Sequence, residues 1–472
     1  MTEQELLRLK PELDRYLQDY LPLFGRSENQ EHARLFVQGL LKGGERRNNE
    51  NIAEAMAGCT VRNLQAFITT GAWQDAAVLT QMQTDVFEVL ADPDGLVNVD
   101  ETGFPKKGKM SVGVKRQYSG TLGRRDNCQI GVFSNYCSVK GHTMIDRRLY
   151  LPEEWAEDQA RRAKAGVPDS VVFRTKPELG LEMVAEACAA GIPFRWVGGD
   201  SVYGDSPTFV AGVRQLGKWY VLDTGSDTHV WTEEPQVVSA EERAWSGRGR
   251  RPSKPTVVGP TRQVDAVIAD LPAAAWKRVL IAEGSKGPRL YDYAEVWVWF
   301  KEADGFPGPR ERLLARRSIS QEPELKYHRS NAPEAVPLEK VAQVRGQRWT
   351  IEEDIQAAKG ECGLDEYETR GWVGWHHHTG LSLLALAFLV LQKIRSGEKR
   401  GTVECAGGAR VAEPLPGSAA VGHGRDPALV ELAAAEKPTS RRQSSQAAAG
   451  GAAAGGRKPR RRPANDGTRA AS

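Results

Sequence analysis

The sequence lacks the features of secreted, membrane and zinc-binding proteins. Its six cysteines include no Cys-x-x-Cys pair, which argues against a zinc ribbon and for a reducing compartment. The N-terminus, MTEQELLRLKPELDRYL, has no apolar segment of the kind found in a secretory signal. The longest apolar run, GLSLLALAFLVL, has 12 residues, whereas a bilayer-spanning helix needs about 20. We therefore expect a soluble cytoplasmic protein without a membrane segment.

A strong net charge is also missing. The 472 residues include 64 Lys and Arg and 61 Asp and Glu, for a net charge of +3. Residues 396–472 hold 13 basic and 7 acidic residues, so the remainder, with 51 and 54, is slightly acidic. A nucleic-acid surface in the folded part must therefore be a local basic patch. The 40% of hydrophobic residues is enough for a sizeable core, and the length suggests several structural units.

Composition and hydrophobic spacing divide the chain into five predicted segments. They are a helical segment at 1–94, a mixed α/β layer at 95–225, a β-rich segment at 226–335, a helical segment at 336–395 and an Ala/Gly/Pro/Arg-rich tail at 396–472. The tail composition cannot bury a core, so we expect disorder there. In the first segment we expect helices at Asn29–Leu41, Asn49–Gly58, Thr60–Thr70 and Asp75–Leu90. The second and third of these have the lengths of a helix-turn-helix, although their spacing alone favours an ordinary helical bundle.

The middle of the chain predicts an α/β (α+β) fold with a mixed sheet flanked by helices. Four strand-like runs are followed by a helix, a strand, a second helix and a further strand. The β-rich segment then provides antiparallel strands, including PRLYDYAEVWVWF, ERLLARRSI and ELKYHRS. We expect one strong helix from about Leu338 to Cys362 with Gly363 as its C-cap, and an apolar helix at 379–395.

Three acidic residues stand at positions that suggest chemistry. Asp100 lies where the strand LVNVD gives way to a loop, and Asp200 follows the strand FRWVGG. Open α/β sheets bind ligands at the carboxyl ends of strands, although either residue alone would more often be a turn residue or a helix cap. Glu352 lies on the predicted helix between Arg348 and Lys359, where an exposed salt-bridge ladder is the simpler interpretation.

Together the three acids provide hard oxygen ligands without His or Cys, which suits Mg²⁺ or Mn²⁺. Two such ions can activate a water or a 3′-hydroxyl and can stabilise the leaving oxygen of a phosphodiester. Cationic side chains nearby would hold the phosphate backbone, and that contact should weaken with salt.

Several segments resemble bacterial insertion-sequence transposases of the DDE superfamily, in order and over about residues 20–395. They are VDETGFPKKGK, GGDSVYGD, WSGRGRRP, EGSKGP, LKYHRSNAP and QRWTIEEDIQAAKGECGLDEYETRGWVGWHHH. The resemblance implies an RNase H-like core with a β-rich insertion before the last acid. It also implies that Asp100, Asp200 and Glu352 are the catalytic residues and bind two Mg²⁺ (or Mn²⁺) ions. The implied activity is cleavage at transposon ends and strand transfer into double-stranded target DNA, by a homodimer that spans two terminal inverted repeats.

The resemblance extends to DNA contacts. Related transposases carry a Tyr-x2-Arg-x3-Glu-x6-Lys signature, of which Arg348, Glu352 and Lys359 keep the spacing. Arg345 stands at the tyrosine position, and we expect an ionic contact from it to the same DNA phosphate. The resemblance also favours DNA binding by residues 1–94 and DNA contact over a merely solvated loop for two basic groups. These groups are Lys106, Lys107 and Lys109, and Arg248, Arg250 and Arg251.

The histidines and tryptophans near residue 375 suggest no separate site. Consecutive helical side chains point about 100° apart, so His376, His377 and His378 cannot all face one metal ion. We expect them to be surface or DNA-proximal polar residues, and we expect Trp372 and Trp375 to pack in the core.

Two other functions stay open. One is a transposase-derived DNA-binding protein without cleavage activity, and the other is a general nuclease with the same core. The presence of all three acids favours an active transposase.

Overall fold

The first part of the chain is helical, as the apolar spacing predicted. In the computed structural model, which describes residues 3–42, 46–243, 248–251, 253–284 and 287–397, the helices are α1 (Glu3–Gln18), α2 (Ser27–Leu41), α3 (Asn49–Ala55), α4 (Val61–Thr69) and α5 (Asp75–Leu90). The side chains of Asn48 and Thr60 accept hydrogen bonds from the backbone N–H groups of Asn51 and Asn63, and thereby cap α3 and α4. The predicted tail lies outside the described residues except for Ser396 and Gly397.

The core sheet is RNase H-like. Its strands are β1 (Leu96–Pro105), β2 (Lys115–Ser119), β3 (Arg124–Ser138), β4 (Gly141–Leu149), β5 (Trp196–Gly199) and β6 (Trp219–Thr224). The main strands lie in the order β4-β3-β1-β5-β6, in which β3 is antiparallel to β1 and to β4. Strands β1, β5 and β6 are parallel, so their carboxyl ends meet at one edge. This mixed sheet confirms the predicted fold class.

The helices that flank these strands are α6 (Glu153–Glu157), α7 (Gln159–Ala165), α8 (Lys176–Ala189), α9 (Ser201–Gly204) and α10 (Pro207–Gln215). The two helices that were predicted among these strands correspond to α8 and α10, whereas α6 and α7 were not predicted. Helix α8 begins with a capping box, in which Thr175 and Glu178 exchange hydrogen bonds between their side chains and backbone.

The β-rich insertion continues the core sheet. Its elements are β7 (His229–Trp231), β8 (Gln236–Val238), β9 (Thr256–Val258), β10 (Arg262–Gln263), α11 (Val264–Ala269), β11 (Lys277–Gly284), β12 (Gly287–Lys301), β13 (Pro307–Arg317) and β14 (Leu325–Ser330). Strand β14 pairs antiparallel with β6, and β13 and β12 follow it outward. Only β8 and β9, among the described strands, form a separate sheet. The insertion therefore shares the hydrogen-bond ladder of the core.

The helix predicted from Leu338 to Cys362 is instead two helices, and that prediction was wrong. Helix α12 (Leu338–Gly346) ends at Gly346, which packs closely against β11: a Cβ atom there would lie 2.1 Å from Ile281 Cγ2, so only glycine fits. The next backbone bonds are three-residue turns, with Arg348 N–H donating to the Arg345 carbonyl at 3.2 Å. Helix α13 (Trp349–Cys362) then ends at Gly363, whose φ of 60° confirms the predicted C-cap.

The last helix, α14 (Trp372–Arg395), crosses the interior. It is long and apolar enough to span a membrane, but 78% of its most apolar window is buried inside the protein, as in the core helix of a soluble protein. Trp375 is fully buried, which confirms core packing.

The expectation that His376, His377 and His378 lie on the surface was wrong for His377 and His378, whereas His376 is half-buried. His377 and His378 are 2% exposed, and burial lowers the pKa of His376 to about 3. Each ring is satisfied by a backbone carbonyl: His376 by Trp372, His377 by Ile68 and Trp73, and His378 by Gly363.

One hydrophobic cluster contains side chains from the first five helices, from the core strands and from α13 and α14. Tyr16 of α1, for example, packs 5.5 Å from Phe388 of α14 between ring centroids. The helical segment is therefore built onto the core. The domain boundaries given above stay predictions.

Candidate active site

Three neighbouring parallel strands carry an aspartate at the same level. Val99 of β1 is in register with Gly199 of β5, which is in register with Leu222 of β6. The next residue along the chain is acidic in each case: Asp100, Asp200 and Asp223. The expectation that β1 ends at Asp100 was wrong, because the strand continues to Pro105 through its pairing with β3. The sheet therefore gathers three carboxylates at the edge where α/β folds bind ligands.

Local sequence explains the position of Asp200. A Cβ atom at Gly198 would lie 2.2 Å from Asn98 Oδ1, so glycine permits β5 to approach β1 here. Asp200 then starts α9, with its Oδ1 accepting a hydrogen bond from Val202 N–H at 2.9 Å. The residue is therefore a helix cap as well as a candidate ligand.

Glu352 reaches the same region from α13 through Arg348. The Arg348 guanidinium donates to Asp100 Oδ2 at 3.1 Å and to Glu352 Oε1 at 2.5 Å. Asp100 and Arg348 are largely buried, whereas the Glu352 side chain is 58% exposed. Two of the predicted acids thus share one cation.

A buried polar network fixes α13 on the sheet. Asn135 of β3 donates to Thr350 Oγ1 at 3.0 Å and to Asp354 Oδ2 at 2.8 Å, and it accepts from Asn98 Nδ2 at 2.9 Å. The other oxygen of Asp354 lies 2.8 Å from His142 Nδ1. The apolar stripe of α13, which consists of Ile351, Ile355, Ala358 and Cys362, is buried beside this network. The polar network and the apolar stripe together fix the rotation of α13 about its axis, and thereby the direction in which Glu352 points.

The electrostatics around Asp100 and Asp200 oppose ionisation. Burial is the main cause that raises the pKa of Asp100 to about 7; Arg348 lowers this pKa, and Asp200 and Glu101 raise it. Burial and the charge of Glu101 raise the pKa of Asp200 to about 6. Carboxylates that repel one another in a buried site gain from a divalent cation.

Asp100 and Glu352 line one cavity of about 450 Å³. Lys359 also lines it and donates to Thr102 Oγ1 at 2.8 Å and Thr121 Oγ1 at 3.3 Å. Burial lowers the pKa of the Lys359 ammonium. Asp200 is not among the described residues that line this cavity.

Arg345, expected to contact DNA, is bonded inside the protein. Its Nε and Nη2 atoms donate to the two carboxylate oxygens of Asp223 at 2.6 and 2.8 Å, and its side chain is only 8% exposed. His328 Nδ1 lies 2.8 Å from the same carboxylate. Although burial raises the pKa of Asp223, the charge of Arg345 and the His328 hydrogen bond lower it well below its usual range.

The other predicted DNA-contact residues differ in accessibility. Lys106 is partly buried, donates to the Tyr367 carbonyl at 3.0 Å and lies over the Tyr367 ring. Burial lowers its pKa to about 8. The remaining residues, Lys107, Lys109, Arg248, Arg250 and Arg251, are exposed.

The sequence analysis missed three acids that shape the site. Asp223 ends the strand KWYVLD just as Asp200 follows its strand, so the same rule could have identified it. Glu101, which pairs with Lys176 at 2.6 Å and accepts from Tyr203 at 3.0 Å, adds negative charge beside Asp100. Nothing in the sequence indicates a role for Asp354, because only the folded structure shows its hydrogen-bond partners.

The donor set fits a hard divalent cation, since every candidate ligand is a carboxylate. Within the residues that the structure describes, however, no three His, Cys, Asp or Glu side chains are arranged to hold one ion. Arg348 lies between Asp100 and Glu352 and keeps them apart from a common centre.

A family model described as "DDE superfamily endonuclease" matches residues 19–288, which is more than half of the chain. The chain belongs to the DDE superfamily endonucleases. Asp100 and Asp200 of this DDE endonuclease lie within the matched residues, and Glu352 lies beyond them.

A "probable transposase for insertion sequence element IS701" from Microchaete diplosiphon is 28% identical to this DDE endonuclease over 221 residues. The match covers 46% of this chain and 55% of the relative, so the chain spans about half of the relative's length. Among solved structures, the NurA nuclease from Sulfolobus solfataricus is 10% identical, with a TM-score of 0.23 over 57% of this chain and 81% of the nuclease. A likeness that low supports no conclusion about fold or function.

Proposed function

We propose that this DDE endonuclease is a transposase that cuts DNA at the ends of an insertion sequence and joins those ends to target DNA. The observation that carries the proposal is the placement of Asp100 and Glu352 on one guanidinium, with Asp200 directly after Gly199, the β5 residue that is in register with Val99. The similarity to a probable insertion-sequence transposase supports the choice of transposition over general nuclease activity.

Asp100, Asp200 and Glu352 would hold two Mg²⁺ or Mn²⁺ ions. When bound, such ions activate the attacking water or 3′-hydroxyl and stabilise the leaving oxygen. Asp223 serves a different purpose, because its carboxylate is already bonded to Arg345 and His328.

The chain's own cations would orient the DNA backbone. Lys359 lines the cavity beside Asp100 and Glu352, with its ammonium held by Thr102 and Thr121. A phosphate in the cavity would exchange those neutral contacts for a charge-assisted hydrogen bond. The exposed Lys107 and Lys109 on the loop after β1, and Arg248, Arg250 and Arg251 in the insertion, would extend this contact along the duplex.

Helix α4 is our candidate for reading the terminal repeats. Leu64, Phe67 and Ile68 bury one face of it, while Arg62 and Gln65 are exposed on the opposite face. Arginine and glutamine are side chains that read base edges in the major groove. Because each terminal repeat needs one such reader and one set of acids, we expect a homodimer in the DNA complex.

The cleavage test uses the full chain, Mg²⁺ and a duplex that carries the repeats flanking the reading frame. We expect cuts at the repeat ends, and we expect Asp100→Asn, Asp200→Asn and Glu352→Gln to reduce the cleavage rate by at least about 10³-fold while DNA binding persists. Glu353→Gln is the matched control, since the neighbouring side chain lies beside His142 and not beside Arg348. Binding without cutting would support the DNA-binding alternative, and indiscriminate cutting would support a general nuclease.

The recognition test compares two arginines on the helical segment. Arg62→Ala should weaken binding to the repeat by about 1–3 kcal/mol and leave binding to unrelated DNA nearly unchanged. Arg15→Ala on α1, also an exposed position, should change neither. Equal losses of affinity for repeat and unrelated DNA would show that Arg62 contacts phosphate only.

A cytoplasmic location follows from the proposed function, because the DNA substrate is there.

A further inference from the structure

Arg348 is enclosed by acidic side chains from three elements. Its Nη1 atom lies 3.1 Å from Asp100 Oδ2, its Nη2 atom lies 2.5 Å from Glu352 Oε1, and its Nε atom lies 3.8 Å from Asp223 Oδ2. The first two carboxylates are proposed metal ligands. One protein cation therefore occupies the space between groups that would otherwise face a metal.

The bonding of Arg348 differs from that of Arg345, three residues earlier. Arg345 binds both oxygens of one carboxylate, which is the strongest geometry available to a guanidinium. Arg348 gives single bonds to separate carboxylates, and its buried Nε has no hydrogen-bond partner among the described residues. A buried donor without a partner costs free energy, so this guanidinium is held less firmly than its neighbour.

The exposure of Glu352 further weakens the attachment of Arg348 to its acidic partners. Its side chain is 58% exposed, whereas that of Asp100 is 16% exposed. The Arg348–Glu352 ion pair therefore lies at the surface, where such a pair contributes little to stability. Arg348 can leave Glu352 without unfolding its surroundings.

We propose that Arg348 is an exchangeable counter-ion of the metal site. In the metal-free protein it neutralises Asp100 and Glu352, and it leaves them when DNA phosphate offers its guanidinium another acceptor. This inference rests on the proposed function, since it takes Asp100 and Glu352 as metal ligands.

Two consequences follow from this exchange. Arg348 and a divalent cation compete for the same oxygens, so the protein alone binds metal weakly. DNA that draws Arg348 away raises the metal affinity, and metal raises the DNA affinity by the same factor.

The first experiment measures Mn²⁺ binding to the full chain without DNA by isothermal titration calorimetry. Arg348→Gln should bind Mn²⁺ about tenfold more tightly than wild type, which corresponds to about 1.4 kcal/mol. Arg348→Lys should fall between them, because a point charge cannot bridge two carboxylates. Circular dichroism melting curves of each variant verify folding.

Lys359→Gln is the matched control. This variant removes a positive charge from the same cavity, but Lys359 is hydrogen-bonded to Thr102 and Thr121 and, among the residues that the structure describes, to no acid. We expect its Mn²⁺ affinity to change by less than about threefold. An equal gain in Arg348→Gln and Lys359→Gln would overturn the proposal in favour of a general charge effect, and so would no gain in Arg348→Gln.

The second experiment repeats the titration with a short duplex, after subtraction of Mn²⁺ binding by the duplex alone. The duplex should raise the Mn²⁺ affinity of wild type about tenfold and that of Arg348→Gln by less than about twofold. If both proteins gain equally, the coupling does not pass through Arg348 and the inference is wrong.

Asp100→Asn separates this inference from the proposed function. If Asp100→Asn binds Mn²⁺ as tightly as wild type, the metal site is misplaced, and both ideas fall. If Asp100→Asn abolishes binding while Arg348→Gln leaves it unchanged, the metal site stands and only the counter-ion role is lost.

Discussion

Arg345 and Asp223 form a bidentate ion pair that fastens the end of α12 to the end of β6. The pair is almost fully buried, and His328 of β14 completes it with a 2.8 Å contact to the same carboxylate. The arginine that stands at the signature's tyrosine position is therefore part of the interior, and the next arginine along the chain, Arg348, faces the candidate site.

Replacing Arg345 should destabilise the protein. Arg345→Ala leaves Asp223 buried without its main counter-charge, which should lower the free energy of unfolding by about 3–5 kcal/mol. Urea denaturation measures this loss. Lys326→Ala, which breaks an exposed ion pair with Glu324, should cost no more than about 0.5 kcal/mol. Unchanged stability with weaker DNA binding would instead show that Arg345 faces DNA.

The buried network around Asp354 should be needed to hold α13. Asp354→Ala leaves Asn135 and His142 without their shared acceptor, so we expect the free energy of unfolding to fall by about 2–4 kcal/mol. Glu353→Ala removes the same charge from the adjacent, more exposed position and should cost at most about 1 kcal/mol. Similar losses in chemical denaturation would contradict the assignment of Asp354 as the anchor.

Asp100 should reduce the stability of the metal-free protein at neutral and higher pH. Its pKa is raised from 3.8 to about 7, so the folded state holds a proton that the unfolded chain releases, and stability is lost as pH rises through 7. Asp100→Asn should therefore raise the free energy of unfolding at pH 8 by on the order of 2–4 kcal/mol and have little effect near pH 4. Urea unfolding in the presence of EDTA at the two pH values tests this. A gain that is equal at both pH values would exclude the ionisation of Asp100 as its source.

The buried histidines should have the opposite effect on the pH dependence of stability, because they destabilise the folded state as the pH falls. Burial lowers the pKa of His378, and likewise that of His328, from 6.5 to about 4. The unfolded chain therefore takes up protons first as the pH falls, and the contribution to stability, fully present above about pH 6.5, is lost progressively towards pH 4. His378→Asn should make the unfolding free energy less dependent on pH between 6.5 and 4, as measured by urea titration. An unaltered pH profile would mean that His378 titrates normally.

Much of the fold could be predicted because its signals are local. The alternation of Val97 and Val99 with polar residues marks β1, and the glycines before Asp200 mark a close approach of strands. Asp200 could be selected because it follows the end of a strand, whereas the strand end expected at Asp100 does not exist, since β1 continues to Pro105. Asp223 obeys the same rule and was overlooked, since the family resemblance accounts for only three acids.

The features that escaped prediction depend on distant partners. The helix is interrupted before α13 at Gly346, which packs closely against Ile281 of the insertion, 65 positions earlier in the chain. The carbonyl groups that bind His377 belong to Ile68 and Trp73, about 300 positions away. Spacing along the chain contains no information about such contacts, so a histidine run beside an apolar stretch resembles a surface feature.

The pairing of β14 with β6 makes the insertion inseparable from the core sheet. Without β14, the backbone amide and carbonyl groups of β6 would be unpaired at an exposed sheet edge that could pair with other chains. Asp223 would also lose its contact with His328. Removal of the insertion to obtain a smaller nuclease would therefore expose the edge of the core sheet and yield a protein that self-associates.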